Sequence, residues 1–374
     1  MFFRKARLTA SIYTGVILMS EWTDKYNSFN SMKALVHVEY WQQFVETGRI
    51  PSPRFVSIDP CGICNYHCPH CNAAKVLTDS KEKMSVQTID NILWLLQHWK
   101  TRAVCIGGGG ESLLNHNTYE LIDSLYLLGI DIGVVTNGSR IDSLNTLLKC
   151  KWIGFSMDAA TSKTYSLMKG LSSYNFDAVL SNIALLTNKG TEISYKFLLH
   201  PNNCDEIYDA CRIAKEIGCN LIHIRPGAEP WFSQDRSWVF STDQIDKIQD
   251  DISRARNAFE DAEFRIFGIT HKFAPDYSIK KSFKKCYACL TTCVISPNGD
   301  VGLCCDRRGD SSVVLGNIGT ASTNIVKASG WGSDKHRAIH AHIDVSACPR
   351  CTYSHINEIF ENVIIKDKML FNMY

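Results

Sequence analysis

The sequence predicts a parallel β/α fold, and three observations carry that prediction. Six short apolar runs, several rich in β-branched residues, alternate with amphipathic segments of helical period between residues 51 and 240. Such alternation builds a parallel sheet through right-handed crossovers, and six repeats match a partial (β/α)6 TIM-like barrel. The glycine-rich and polar segments fall where those strands end, the side on which parallel architectures bind ligands. At 374 residues the chain is too long for one ordinary core. The expected organisation is an N-terminal extension and lead-in helix (1–50), the barrel (51–240), a connecting helix and strand (241–280) and a small cysteine-rich C-terminal domain (281–374).

Taken in order, the N-terminal arm has a basic start (Arg4, Lys5, Arg7) and a mixed run from Ile12 to Met19, too short and interrupted to span a bilayer. It reads as a disordered or mis-started extension, with Met19 or Met32 as alternative starts. A helix is expected over 31–47. Strands are expected over 54–58, 103–106, 132–135, 152–157, 193–199 and 221–224, with helices over 86–99, 119–128, 141–148, 176–188 and 206–217 between them. A long amphipathic helix follows over 242–263. Pro297-Asn298-Gly299-Asp300 then marks a hairpin turn between the apolar runs 293–295 and 301–304.

Composition narrows the function. Hydrophobic content of 45% and charge of 21% are those of a soluble globular protein, and a net charge of +2 leaves no electrostatic footprint for nucleic acid or an anionic membrane. Sixteen cysteines are too sparse for a disulfide scaffold and gather in CxxxCxxC and CxxC groups that read as metal ligands, so a reducing cytoplasm is expected.

The first group is Cys64, Cys68 and Cys71, where the first strand ends. Three thiolates on a four-iron cluster leave one iron open to a ligand that is not protein. Cys61, three residues upstream, makes a second reading available, because Cys61/Cys64 and Cys68/Cys71 form two CxxC pairs of the kind zinc uses. The segment resembles the cluster motif of the radical S-adenosylmethionine (radical SAM) enzymes, down to Asn65 after the first cysteine. His70 stands where that family usually has Tyr, Phe or Trp.

The resemblance implies that the open iron chelates SAM, and it extends to other strand ends. Gly109-Gly110-Glu111 resembles the family's GGE motif, whose members hold the SAM amino group, and a carboxylate such as Glu111 can accept a charge-assisted hydrogen bond from an ammonium. Ser112 follows where Pro is common. The glycines also suit close approach of backbone to a ligand, although no GxGxxG or GxxxxGK pattern is present. Thr136-Asn137-Gly138 is a good turn sequence and also matches the family's TNG segment near SAM. Ser156 and Asp158 resemble the ribose-side motif, while Asp158 reads equally as a helix cap. Arg225 reads as a contact to substrate or SAM carboxylate, or as a rim salt bridge.

The second group resembles the SPASM/Twitch module that follows many radical SAM barrels, through Cys286, the run from Asn298 to Asp306, the run from Leu315 to Ile318, and Cys348-Pro349-Arg350-Cys351. Cys286, Cys304, Cys348 and Cys351 would satisfy one auxiliary [4Fe-4S] cluster, the Twitch form, because no cysteine follows Cys351. Cys289 and Cys293 compete with Cys286 for the first place, and zinc is the alternative metal. Cys105 and the other scattered cysteines read as small buried hydrophobes.

The function implied is a radical SAM oxidoreductase that cleaves SAM to a 5'-deoxyadenosyl radical and abstracts hydrogen from a substrate C–H bond. The first expectation is two-electron oxidation of a small polar, sugar- or aminocyclitol-like molecule. Peptide modification is the alternative within enzymes, and a non-catalytic iron-sulfur or zinc protein the alternative outside them. The partners expected are a small-molecule or peptide substrate and an electron donor such as flavodoxin or ferredoxin, with neither nucleic acid nor membrane. The sequence names neither the substrate nor the residue that takes its proton.

Overall fold

The computed structural model describes residues 38–74, 76, 81–172, 175–227, 239–269, 273, 281–348 and 351–365. The N-terminal arm with its alternative starts, the first part of the expected 31–47 helix, and Pro349-Arg350 lie outside the described residues. Among the described residues no helix is long and apolar enough to cross a membrane.

The six expected strands form as β1 (Phe55–Ile58), β2 (Ala103–Ile106), β3 (Asp131–Thr136), β4 (Trp152–Ser156), β5 (Glu192–Leu199) and β6 (Leu221–Pro226), each parallel to the next. Helices cross between them: Val86–Trp99, Asn117–Leu127, Leu144–Leu147, Phe176–Ala184 and Ile207–Glu216. This is the partial (β/α)6 arrangement the sequence predicts. Strand alternation sorts the side chains into two layers. Val56, Ile58, Ile106, Val134, Phe155, Tyr195, Phe197 and Ile224 are fully buried in one hydrophobic core with the helices. Ser57, Cys105, Gly133, Lys196 and His223 face the opposite way and line a cavity inside the sheet's curve. Because these inward residues are mostly small, the interior keeps room for a ligand.

Three features go beyond the prediction. The strand expected within 241–280 forms as β7 (Arg265–Gly268) after the long helix Thr242–Phe259, and it continues the parallel sheet beyond β6, a pairing that was not expected. The helix Ser162–Lys169 was not foreseen, although Thr161 caps its first turn and Gly170, at φ 61°, closes it in the left-handed region. The expected C-terminal hairpin forms as β8 (Thr292–Ile295) and β9 (Asp300–Gly302), with β10 (Val314–Asn317) beside it, but it extends the barrel's own sheet. β8 lies parallel to β1, giving the strand order β10-β9-β8-β1-β2-β3-β4-β5-β6-β7. A run of β-branched residues announces a strand but not its neighbour. The exposed edge of β1 supplies that neighbour here.

A second hydrophobic core joins the two ends of the described chain. Trp41, on the lead-in helix Val38–Thr47, packs against Phe360, and Phe360 stacks on Tyr287 with ring centroids 5.5 Å apart.

Candidate active site

The cysteine loop leaves the C-terminal end of β1 and is held on both sides by backbone hydrogen bonds. Gly62 N donates to Glu82 O (2.8 Å), Glu111 N to Ile63 O (2.9 Å) and His67 N to Lys169 O (3.0 Å). Cys64, Cys68 and Cys71 all line the same cavity of about 840 Å3, whereas Cys61 is fully buried outside it and its thiol donates to Ile63 O at 3.4 Å. The structure therefore separates Cys61 from the other three. Burial pushes the Cys64 thiol up to about 11 and the Cys68 thiol up to about 12, and raises Cys71 as well. Three half-buried thiols that sense one another's charge need a cationic centre before they can ionise together. Among the described residues no three Cys, His, Asp or Glu side chains converge on the position of a single ion. Three cavity-facing thiols are a donor set that suits a four-iron cluster, in which each thiolate would serve a different iron and one iron would stay open.

Glu111 is the organising carboxylate beside the loop. It is buried, accepts from Thr136 Oγ1 (2.7 Å) and Leu113 N (3.2 Å) at Oε1, and accepts from Asn137 N (2.6 Å) at Oε2. Burial raises its pKa, and these three donors pull it back. The expectation that Glu111 meets an ammonium directly is thereby narrowed, because only the lone pairs left over are available to a ligand. Asn137 in turn donates to Asn65 Oδ1 (2.9 Å), and Asn65 donates to Ser139 Oγ (2.9 Å). The strand-three turn and the cysteine loop are thus tied into one unit.

The glycine run serves this packing as much as any ligand. A Cβ at Gly110 would collide with the Ile63 carbonyl, one at Gly108 with the Arg308 guanidinium, and one at Gly107 would stand 2.7 Å from Val135 O. Gly110 lines the cavity, while Gly109 faces Asp59 and the Cys61 carbonyl.

Ser156, Asp158 and Arg225 also line the cavity. Asp158 sits just past β4 in the left-handed region at φ 57°. Its carboxylate receives Lys169 Nζ at 2.5 Å and Leu198 N at 2.6 Å, with His70 Nε2 3.4 Å away. Burial alone would raise the Asp158 pKa, but the buried Lys169 ammonium and His70 hold it well below the usual carboxylate range. Asp158 does not cap the next helix, since Thr161 does, and any ligand in the cavity would meet a carboxylate already engaged by Lys169 and Leu198 N. His70, the departure from the family's aromatic, gains a purpose: it closes this pair.

Sequence reasoning missed several cavity residues. Arg308 forks onto Asp59 (Nε to Oδ2 2.6 Å, Nη2 to Oδ1 3.1 Å) and donates to Cys305 O at 2.6 Å. Cys105 is not a buried hydrophobe but part of the cavity wall, as is Tyr353; Lys196, where strand five reaches the ligand side in sequence, lines it too. Residues that carry no local motif are not announced in sequence, and these meet across long stretches of chain.

The second thiol set gathers around a smaller cavity lined by Cys286, Cys304, Cys348 and Cys351, with Cys289 beside them. Burial raises all four of the expected ligands, and for Cys286 the nearby Cys289 thiol contributes most. Cys289 donates to Cys286 O at 3.0 Å and lies 3.7 Å from His340 Nδ1. Cys293 belongs to the barrel core, and Cys305 turns toward the main cavity, 3.3 Å from Tyr353 Oη. Four thiols from three places in the chain around one cavity suit a second cluster.

Comparison with known proteins agrees with this geometry. The model of the Radical SAM superfamily matches residues 58–214, the span from β1 to the helix before β6. Mycofactocin maturase MftC of Mycolicibacterium smegmatis is 25% identical over 251 residues, which are 64% of this chain and 61% of that protein. The chain thus spans about three-fifths of that relative's length. Two solved structures share the fold at low identity. Streptococcus suis SuiB bound to precursor peptide SuiA has a TM-score of 0.62 at 16% identity, covering 86% of this chain and 75% of that one. Native anSMEcpe with bound AdoMet and Cp18Cys peptide has a TM-score of 0.59 at 17% identity, covering 82% and 88%. The matched segment carries the three cavity thiols, so residues 58–214 form a domain of the radical SAM superfamily, a family that uses SAM and a [4Fe-4S] cluster.

Proposed function

We propose that this chain is a peptide-modifying radical SAM enzyme, with Cys64, Cys68 and Cys71 holding the SAM-binding cluster. The observation that carries this reading is the shared cavity. The three thiols, Glu111, Thr136, Asn137, Ser156 and Arg225 all face one space of about 840 Å3, of the size that takes SAM together with part of a substrate. When bound, the cluster and SAM would supply a 5'-deoxyadenosyl radical that removes hydrogen from a substrate C–H bond. The protein's share is positioning and exclusion of water. Gly110 and Glu111 would receive the SAM amino group, Ser156 a ribose hydroxyl and Arg225 a carboxylate. Cys286, Cys304, Cys348 and Cys351 would hold an auxiliary [4Fe-4S] cluster in a Twitch-like module spanning 281–374. An electron donor such as flavodoxin or ferredoxin completes the scheme.

A peptide is favoured over a sugar-like substrate by the relatives. One is a maturase by name, and two structures of this fold hold peptides, one of them together with AdoMet. The test is anaerobic reconstitution followed by iron and sulfide counting, 5'-deoxyadenosine assay with a chemical reductant, and mass spectrometry of a precursor peptide encoded beside the gene. Two clusters predict about eight irons per chain, with about half lost in Cys348→Ala. The Cys64→Ala variant should form no 5'-deoxyadenosine. Wild-type protein that binds iron yet forms none either would end the enzymatic reading. Turnover of an aminocyclitol with the peptide untouched would replace the substrate class.

A further inference from the structure

Lys196 stands on the cavity wall with no ion-pair partner among the described residues. In register it lies between Ser156 of β4 and His223 of β6, and its side chain faces the cavity. Its stem crosses the backbone at Gly154, where a Cβ would be only 2.7 Å from Lys196 Cδ and 2.6 Å from the Trp152 indole. Glycine at 154 is thus what lets the lysine lie down across the sheet. Nζ comes to rest over the Trp152 ring, 5.7 Å from its centroid. No carboxylate or hydrogen-bond acceptor meets it among the described residues.

The contrast with the neighbouring buried cations is sharp. Lys169 is paired with Asp158 and Arg308 with Asp59, so each carries its own neutralising group. The groups that act most on the Lys196 charge are Arg225 from β6, Cys105 from β2 and the already paired Asp158 and Lys169; His223 lies beside it in register, and the exposed Glu192, register partner of Trp152, lines the same cavity without forming an ion pair with it. Burial, with the like charge of Arg225 second, brings the Lys196 amine down to about 8. A half-buried ammonium with no ion-pair partner among the described residues is costly to hold, and its place on a ligand cavity wall points to a counter-charge that arrives with the ligand.

We propose that Lys196 anchors the substrate through a carboxylate that the substrate carries. This deepens the proposed function and rests on its reading of the cavity as a substrate site. SAM's own methionyl carboxylate is the competing source. The geometry disfavours it, because Trp152 is the first residue of β4 and the cysteines lie past the C-terminal end of β1. The Lys196 stem leans back from Ser156 toward that first residue, away from the cluster end.

The test is amine-selective acylation of the reconstituted holoenzyme with a pulse of acetic anhydride, followed by mass spectrometry of the Lys196 peptide. Labelling is compared with SAM alone and with SAM plus acetate or acetamide, and Lys196→Gln identifies the labelled site. Only the neutral amine reacts, so a carboxylate that raises the amine's pKa by about one unit slows labelling about tenfold below that pKa. Acetate should slow it and acetamide should not, with SAM already bound. Equal labelling with acetate and acetamide overturns the proposal. Complete protection by SAM alone also overturns it, by giving the site to the cofactor. Because labelling needs no turnover, failure to form 5'-deoxyadenosine would sink the enzymatic reading and leave this result standing on its own.

Discussion

The Asp158–Lys169 pair decides what the ribose-side motif does in this chain. Both side chains are almost completely buried, and Lys169 Nζ is 2.5 Å from Asp158 Oδ2. Lys169→Met would leave a buried carboxylate without its cation, a loss of about 3–5 kcal/mol at neutral pH. The Asp158 pKa lies below its unfolded value, so its contribution is present above the unfolded carboxylate range and lost as pH falls. The Lys169 pKa lies above its unfolded value, despite burial, because of Asp158. Its contribution is present below the unfolded amine range and lost as pH rises through the raised value. Denaturant melts of wild type and variant should therefore differ most between about pH 5 and about pH 9 and converge on the acid side. A gap that widens below pH 4 would mean that the pair is not ionised in the native state.

Among elements, the cysteine loop and the glycine run are one structure. Gly110→Ala forces a methyl into the Ile63 carbonyl, and Glu111 N donates to that same carbonyl at 2.9 Å. The loop must shift, so the variant should reconstitute with less iron while keeping wild-type far-ultraviolet dichroism. An unchanged iron content would show that the loop is not held by this contact. The elements that sequence made legible are those whose signal is local. β2 and the helix Val86–Trp99 come out with the expected bounds, because apolar period alone sets them. Cys64, Cys68 and Cys71 share a cavity because their ligand spacing is itself local. Lys169 lay outside what could be read, since its carboxylate is 11 residues away and its own helix, Ser162–Lys169, was not expected. The same holds for β8, whose pattern says strand while its pairing with β1 depends on which edge the folded sheet offers.

At the scale of the whole molecule, the C-terminal segment is built onto the barrel rather than hung from it. β8 pairs with β1 along four residues, and directly above that seam Arg308 forks onto Asp59, 249 residues distant in sequence. Asn91 of the helix Val86–Trp99 adds hydrogen bonds to Ile318 O (2.7 Å) and Ala321 O (2.9 Å). Burial raises the Asp59 pKa and the Arg308 guanidinium pulls it down, so removing the arginine leaves burial unopposed. In Arg308→Met the carboxylate stands alone in a dry site, a loss of about 3–5 kcal/mol at neutral pH. With its folded pKa then above the unfolded value, Asp59 favours the folded state only when protonated. The deficit should shrink as pH falls and grow as pH rises through that value. Asp59→Asn in the same background should recover part of the loss, since an amide avoids burying charge. Urea melts of the two single variants and the double variant, run at pH 5 and pH 8, measure the coupling. If the four states are additive at both pH values, the fork does not join the C-terminal segment to the barrel, and β8–β1 pairing carries that junction by itself.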